Sequence, residues 1–181
     1  MNIIKSVAVF GGSALGNEPE YVKDAMALGR RLAQKGIVMN YGAGQSGLIG
    51  TTAKICLSEG GKVVGYINDS LLENEMHRFD LTELKLYATL HERKAALIED
   101  SDAFCILPGG LGTLDEATEV LVLKQVGDHD KPIVFYNKNG YWNLLRACVD
   151  SFIRAGFVYL DDAVLVTYAD SVEAVFDNIG I

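Results

Sequence analysis

A chain of 181 residues that is 49% hydrophobic can bury one sizeable core and reads as a single nucleotide-binding domain over residues 1–181. Its formal net charge of -8 argues against a general nucleic-acid or membrane surface, because phosphate-backbone binders carry a basic face. Cys56, Cys105 and Cys148 are odd in number and lack C-x-x-C spacing, the pattern of reduced core thiols in a cytoplasmic protein.

The opening Met1-Asn2-Ile3-Ile4-Lys5-Ser6 has no signal-peptide pattern, and no apolar run nears the ~20 residues that a membrane helix needs. Residues 6–10 form the first short β-type run and end on Gly11-Gly12-Ser13-Ala14-Leu15-Gly16. Val22, Ala25, Met26, Gly29, Leu32 and Ala33 then repeat at helical spacing. A second β-type run, 37–41, leads into Gly42-Ala43-Gly44-Gln45-Ser46-Gly47. A third, 62–67, opens into a polar insertion at 68–81 that holds Glu73, Glu75, His77, Arg78 and Asp80. That insertion reads either as a lid or short helix over the rim, or as a solvated crossover.

Further β-type runs follow at 83–87, 103–107, 132–136 and 164–167, with Leu144, Leu145, Cys148, Phe152 and Ile153 at helical spacing between the last two. Strand and helix alternate throughout. The alternation predicts an α/β fold, a Rossmann-like three-layer sandwich whose mostly parallel, doubly wound sheet is flanked by helices. Ligands of such a sheet bind at the carboxyl ends of its strands, where the glycine turns concentrate.

Gly42 to Gly47 match G-x-G-x-x-G, with Asp69 standing 22 residues beyond, and so imitate a dinucleotide fingerprint. The imitation follows the second strand instead of the first, and a tight turn that packs helix on sheet explains the same residues. No Lys-[Ser/Thr] follows either glycine turn, which excludes a Walker loop. His91-Glu92-Arg93-Lys94-Ala95 begins like H-E-x-x-H but has alanine at the second histidine position, so no metal site is expected.

Thr89 and Glu92 fit a capping box that sets Arg93 and Lys94 in the first turns of a helix. The macrodipole favours anions there, so the two cations are either exposed to solvent or neutralised by a phosphate or acidic partner. Thr113 and Glu116 fit a second capping box, and Asp115 suits a helix start. Gly109, Gly110 and Gly112 are more than a cap requires. They allow close approach of an anion to free helix N–H groups, a few ångströms from the Glu116 carboxylate. The two negative groups divide the work if the loop holds a phosphate and Glu116 faces a centre that becomes positive, such as a ribosyl oxocarbenium ion.

Pro108-Gly109-Gly110-Leu111-Gly112-Thr113-Leu114-Asp115-Glu116 resembles the P-G-G-x-G-T-x-x-E motif of the LOG (Lonely Guy) family, and Leu90-His91-Glu92-Arg93-Lys94 its M-H-x-R-K. Val9-Phe10-Gly11-Gly12-Ser13, the run from Tyr41 to Gly50, and Asp128-His129-Asp130-Lys131-Pro132-Ile133 extend the likeness over nearly the whole chain. The resemblance implies a cytokinin riboside 5′-monophosphate phosphoribohydrolase without a cofactor. Such an enzyme hydrolyses the N-glycosidic bond of an adenine-type nucleoside 5′-monophosphate to free base and ribose 5-phosphate.

It further implies that Arg93 and Glu116 are catalytic and that Ser13, Glu75, Leu90, Lys94, Gly110, Leu111, Gly112 and Thr113 bind substrate. A homodimer with sites near the subunit interface is implied as well, with no nucleic-acid or membrane partner. Leu90, Leu111 and Val122 replace methionine, tyrosine and threonine of other members and bear on base preference. A lysine decarboxylase label attached to some relatives finds no argued pyridoxal site here. The competing readings are a noncatalytic nucleotide-sensing module and an NAD-binding oxidoreductase.

Overall fold

The computed structural model describes residues 3–73, 80–158 and 166–181. Along the chain run β1 (Ser6–Phe10), α1 (Pro19–Lys35), β2 (Val38–Tyr41), α2 (Gly47–Ser58), β3 (Val63–Asn68), α3 (Asp69–Glu73), β4 (Glu83–Tyr87), α4 (Leu90–Glu99), β5 (Ala103–Ile106), α5 (Leu111–Gln125), β6 (Ile133–Tyr136), a 3-10 turn (Lys138–Gly140), α6 (Asn143–Arg154), β7 (Thr167–Ala169) and α7 (Val172–Ile179). The strands form one sheet in the order β4-β3-β2-β1-β5-β6-β7, and each neighbouring pair is parallel.

Parallel strands need crossovers, and these cover both faces of the sheet. On one face Leu28 and Leu32 of α1, Ala53 and Cys56 of α2, and Val175 and Phe176 of α7 pack on Val7, Val9, Met39 and Cys105. On the other, Leu97 and Ile98 of α4 and Ala117 and Val120 of α5 pack on Ala8, Phe10, Tyr66, Phe104 and Phe135. All six residues of β3 are buried, whereas β4 at the sheet edge is half exposed. That contrast separates a strand covered on both faces from one at the open edge of the sheet. The predicted three-layer sandwich is therefore the fold observed.

The chain winds outward from β1 to β4 and then returns through α4 to β5 on the other side of β1. Strand order reverses there, which opens a crevice between the loops that leave β1 and β5, where open α/β sheets bind their ligands. Among the described residues, no helix is long and apolar enough to cross a membrane.

Two expectations change, for the last strand and for Cys148, while the polar insertion takes up the short helix that was one of its readings. The last strand lies at Thr167–Ala169, since its register on β6 pairs Val134 with Thr167 and Tyr136 with Ala169; positions 164 and 165 lie outside the described residues. The polar insertion begins with the short helix α3, while Glu75, His77 and Arg78 lie outside the described residues. Cys56 and Cys105 are buried as expected, but Cys148 is exposed. Helix α6 turns Leu145 toward the core and carries Leu144, Cys148 and Phe152 outward. Burial pushes the Cys56 thiol up to about 11 and the Cys105 thiol to about 12.

Candidate active site

A cavity of about 310 Å³ opens at the β1/β5 crevice, and its lining includes Ser13, Leu90, Arg93, Lys94, Gly110, Leu111, Gly112, Thr113 and Glu116. The structure thus brings together every candidate residue named from the sequence except Glu75, which lies outside the described residues. Gly11 and Asp115 complete the wall. Two loops are locked side by side, the Gly12 N–H donating to the Pro108 carbonyl at 3.0 Å.

Helix α5 starts at Leu111, with Gly110 as its extended N-cap and no side-chain cap. The predicted Thr113/Glu116 capping box does not form, because the helix begins three residues earlier than that box requires and places Thr113 and Glu116 inside it. Thr113 is buried against Gly109, where an added Cβ would lie 2.1 Å from the Thr113 Oγ1 and 2.8 Å from the Gly12 nitrogen. No side-chain hydrogen bond caps the helix start, and Gly110, Leu111, Gly112 and Thr113, which open it, line the cavity.

The start of α2 is different. There the N–H groups of Leu48 and Ile49 donate to the Gly12 carbonyl at 2.9 and 3.3 Å. Gly47, at φ 70°, makes that contact close enough: an added Cβ would lie 2.2 Å from the Ser13 carbonyl carbon and 2.4 Å from the Gly12 oxygen. The G-x-G-x-x-G turn therefore packs one loop against another, and the donors that a dinucleotide pyrophosphate would use are taken. Asp69 stands in the first turn of α3.

The predicted Thr89/Glu92 capping box does form: the Glu92 N–H donates to the Thr89 Oγ1 at 3.1 Å and the Thr89 N–H to the Glu92 carboxylate at 3.0 Å. It fixes the start of α4 and the direction of the next two side chains. Arg93 is buried. Its Nε donates to the Tyr66 carbonyl at 2.9 Å, and its Nη2 donates to the Glu116 Oε1 at 3.3 Å. Lys94 turns the other way, its Nζ lying 3.0 Å from Asp115 and 2.8 Å from Glu119. The basic pair is thus neutralised by protein carboxylates, not left to solvent.

Burial lifts the Glu116 carboxyl above the ordinary range, with Asp115 adding to the rise, while the Arg93 guanidinium and Lys94 pull against it. The result is a carboxylate with strengthened basicity at the wall of a polar cavity. Burial alone would lower Lys94, but bonds from Glu119 and Asp115 more than offset it and hold the ammonium above its usual range. Sequence reasoning missed Gly42, the Tyr66 carbonyl and Glu119, since nothing local in the chain marks a backbone carbonyl or a helix carboxylate as a partner for α4.

The Asp128 to Ile133 segment lies at the opposite end of the sheet. Lys131 Nζ donates to the Ile98 and Glu99 carbonyls at 2.7 and 3.0 Å, closing the C-terminus of α4. The Lys131 N–H donates to His129 Nδ1 at 3.2 Å, and the other ring nitrogen lies 3.1 Å from the Val120 carbonyl. This segment anchors the helix that carries Arg93 and takes no part in the cavity.

Residues 49–179 match the family model described as possible lysine decarboxylase. Over 154 residues the chain is 39% identical to the cytokinin riboside 5′-monophosphate phosphoribohydrolase LOG1 of Arabidopsis thaliana, covering 85% of this chain and 72% of that protein. It is also 39% identical over 155 residues to the probable enzyme of the same name, LOGL1, of Oryza sativa subsp. japonica, covering 86% of this chain and 70% of the relative. The fold resembles that of the molybdenum cofactor binding protein from Rippkaea orientalis, with a TM-score of 0.72, 19% identity, and coverage of 97% of this chain and 94% of the other. The Moco carrier protein from Chlamydomonas reinhardtii gives 0.69 and 17%, with coverage of 97% and 94%. These two likenesses concern the fold alone. Identity to the plant enzymes over most of both chains, together with the family match over residues 49–179, shows that this chain belongs to the LOG family.

Proposed function

We propose that this protein hydrolyses the N-glycosidic bond of adenine-type nucleoside 5′-monophosphates, including N6-modified AMP, to free base and ribose 5-phosphate. The observation that carries this reading is the Glu116 carboxylate, held 3.3 Å from the Arg93 Nη2 in the same cavity as the uncapped start of α5. The N–H groups of Leu111, Gly112 and Thr113 receive the 5′-phosphate, with Gly110 allowing close approach and the Ser13 hydroxyl on the facing loop. The sugar then lies toward Glu116.

As the bond from the anomeric carbon to the base nitrogen breaks, its electron pair leaves with the base and positive charge grows on the ribose. Glu116 stabilises that charge and takes a proton from the attacking water, whose oxygen bonds to the anomeric carbon. The leaving base takes a proton from solvent water and departs neutral, and Glu116 returns the proton it took to solvent. Arg93 orients the carboxylate, Lys94 sets the potential of the opposite wall through Asp115 and Glu119, and Leu90 and Leu111 supply apolar surface for the base. Glu75 is proposed as a further substrate contact from the family motif alone.

A decarboxylase using pyridoxal would need an amine free to form a Schiff base, whereas Lys94, the lysine of this cavity, is held between two carboxylates. A homodimer is supported by Leu111 and Val122, exposed along α5, and by exposed Val126 at its C-cap. The free cysteines suit a cytoplasmic setting, and the single seven-stranded sheet supports reading the chain as one domain. Chromatography of products from AMP, N6-prenylated AMP and the matching nucleosides tests the function. Base should be released from the monophosphates, far more slowly from nucleosides, and about 100- to 1,000-fold more slowly by Glu116→Gln. Equal rates in that variant would overturn the assignment.

A further inference from the structure

Strand β2 ends at Tyr41, paired with Gly65 of β3. The Met39 N–H donates to the Lys62 carbonyl at 2.9 Å, so at two-residue spacing Val64 and Tyr66 turn their carbonyls to the same edge of β3. The Tyr66 carbonyl therefore lies one step past the end of β2. The chain leaves the sheet there through Gly42, followed by Ala43 at φ 61°. Into the gap comes the Arg93 side chain, whose Nε donates to the Tyr66 carbonyl at 2.9 Å and whose Nη2 reaches on to Glu116. The arginine takes the place of a missing strand residue.

The fit depends on a missing Cβ. One added at Gly42 would lie 2.0 Å from the Arg93 Nη2 and 3.2 Å from its Cζ. The obstructed atom is the end of a flexible side chain, and Gly42 is not among the residues at positive φ, so alanine is tolerated by the backbone. What must move is Nη2, the nitrogen that bonds Glu116. At Gly44 an added Cβ meets nothing within 4 Å, while at Gly47 it would strike the backbone of Gly12 and Ser13. The three glycines of one motif therefore do three different things.

We infer that Gly42, with the Tyr66 carbonyl, is a positioning residue for catalysis: it forms the seat that fixes the Arg93 guanidinium against Glu116. The role of a G-x-G-x-x-G turn is thereby exchanged, from cradling a ligand phosphate to seating a side chain. The inference rests on the proposed roles of Arg93 and Glu116 in hydrolysis.

The test compares wild type, Gly42→Ala, Gly44→Ala, Arg93→Ala and the double variant Gly42→Ala/Arg93→Ala. Gly42→Ala should lower kcat by about 100-fold, the scale set by an ångström of misplacement, with KM little changed and a melting temperature no lower than that of Arg93→Ala. Gly44→Ala should match wild type. The double variant should be no slower than Arg93→Ala, since the glycine acts through the arginine. Wild-type kcat in Gly42→Ala, or losses that multiply in the double variant, would overturn the inference.

A second readout does not depend on turnover. In nitrogen-15 NMR the Arg93 Nε–H should be protected from exchange in wild type and Gly44→Ala and lose protection in Gly42→Ala. If wild type cleaves no monophosphate, the functional proposal fails on its own, and this resonance still decides the seat: protection retained in Gly42→Ala overturns it.

Discussion

Replacing Arg93 with alanine should destabilise the protein by an amount that grows with pH. Arg93 retains 8% of its side-chain exposure and Glu116 19%, and at an effective dielectric constant of about 20 opposite charges about 4 Å apart attract by about 4 kcal/mol. That attraction opposes the burial that raises the Glu116 pKa. Without Arg93 the carboxylate faces the cavity unpaired, and an uncompensated buried charge costs about 3 kcal/mol. An acid whose folded pKa is raised holds its proton more tightly in the folded state. The cost is therefore absent below the unfolded value of about 4.3 and develops as the pH rises through the folded pKa.

For a chain of this length, about 3 kcal/mol lowers the melting temperature by about 6–12 °C. This comes on top of a pH-independent deficit from the unpaired Tyr66 carbonyl and the vacated volume. Thermal melts of wild type, Arg93→Ala and Arg93→Ala/Glu116→Gln across mildly acidic to mildly alkaline buffers separate the two parts. The gap between wild type and Arg93→Ala should widen toward alkaline pH, while the double variant, with no carboxyl to titrate, should not share the widening. A gap of constant size, or equal widening in the double variant, would refute the reasoning.

Gly109→Ala should damage the phosphate cradle, since its Cβ would meet the Thr113 Oγ1 at 2.1 Å and the Gly12 nitrogen at 2.8 Å; we expect KM for AMP to rise at least about tenfold, equivalent to about 1.4 kcal/mol of lost binding. Steady-state kinetics checks it, and an unchanged KM would place the phosphate elsewhere. Val126→Glu should shift the proposed homodimer toward monomer by burying a charge at the exposed end of α5, which sedimentation velocity would show as a concentration-dependent drop in mass. A variant that sediments like wild type would exclude this face.

Much of the architecture was legible in the order of short apolar runs and helical repeats. Parallel strands buried on both faces leave near-continuous apolar runs such as residues 103–107, and the crossovers between them leave amphipathic spacing. The capping box at Thr89 and Glu92 was legible because it is closed within three residues. The box proposed at Thr113 and Glu116 failed for a reason that three-residue spacing cannot carry: Gly110 starts the helix earlier, freeing Glu116 to meet a residue 23 positions away. Cys148 is exposed although it shares the helical spacing of Leu145, because helical spacing identifies an apolar face without saying whether anything packs on it.

The sequence by itself determined the alternating α/β order, the glycine loop at residues 109–112 and the motif residues proposed to bind and cleave a nucleotide, because each of these motifs is encoded within a few neighbouring positions. Tertiary structure alone decided which partner each of them has. It set the Arg93 guanidinium between the end of β3 and the first turns of α5, bound Lys94 to Asp115 and Glu119, and filled the start of α2 with the Gly12 carbonyl. Those pairings follow from strand order and helix approach, and long-range geometry of that kind leaves no local trace in the chain.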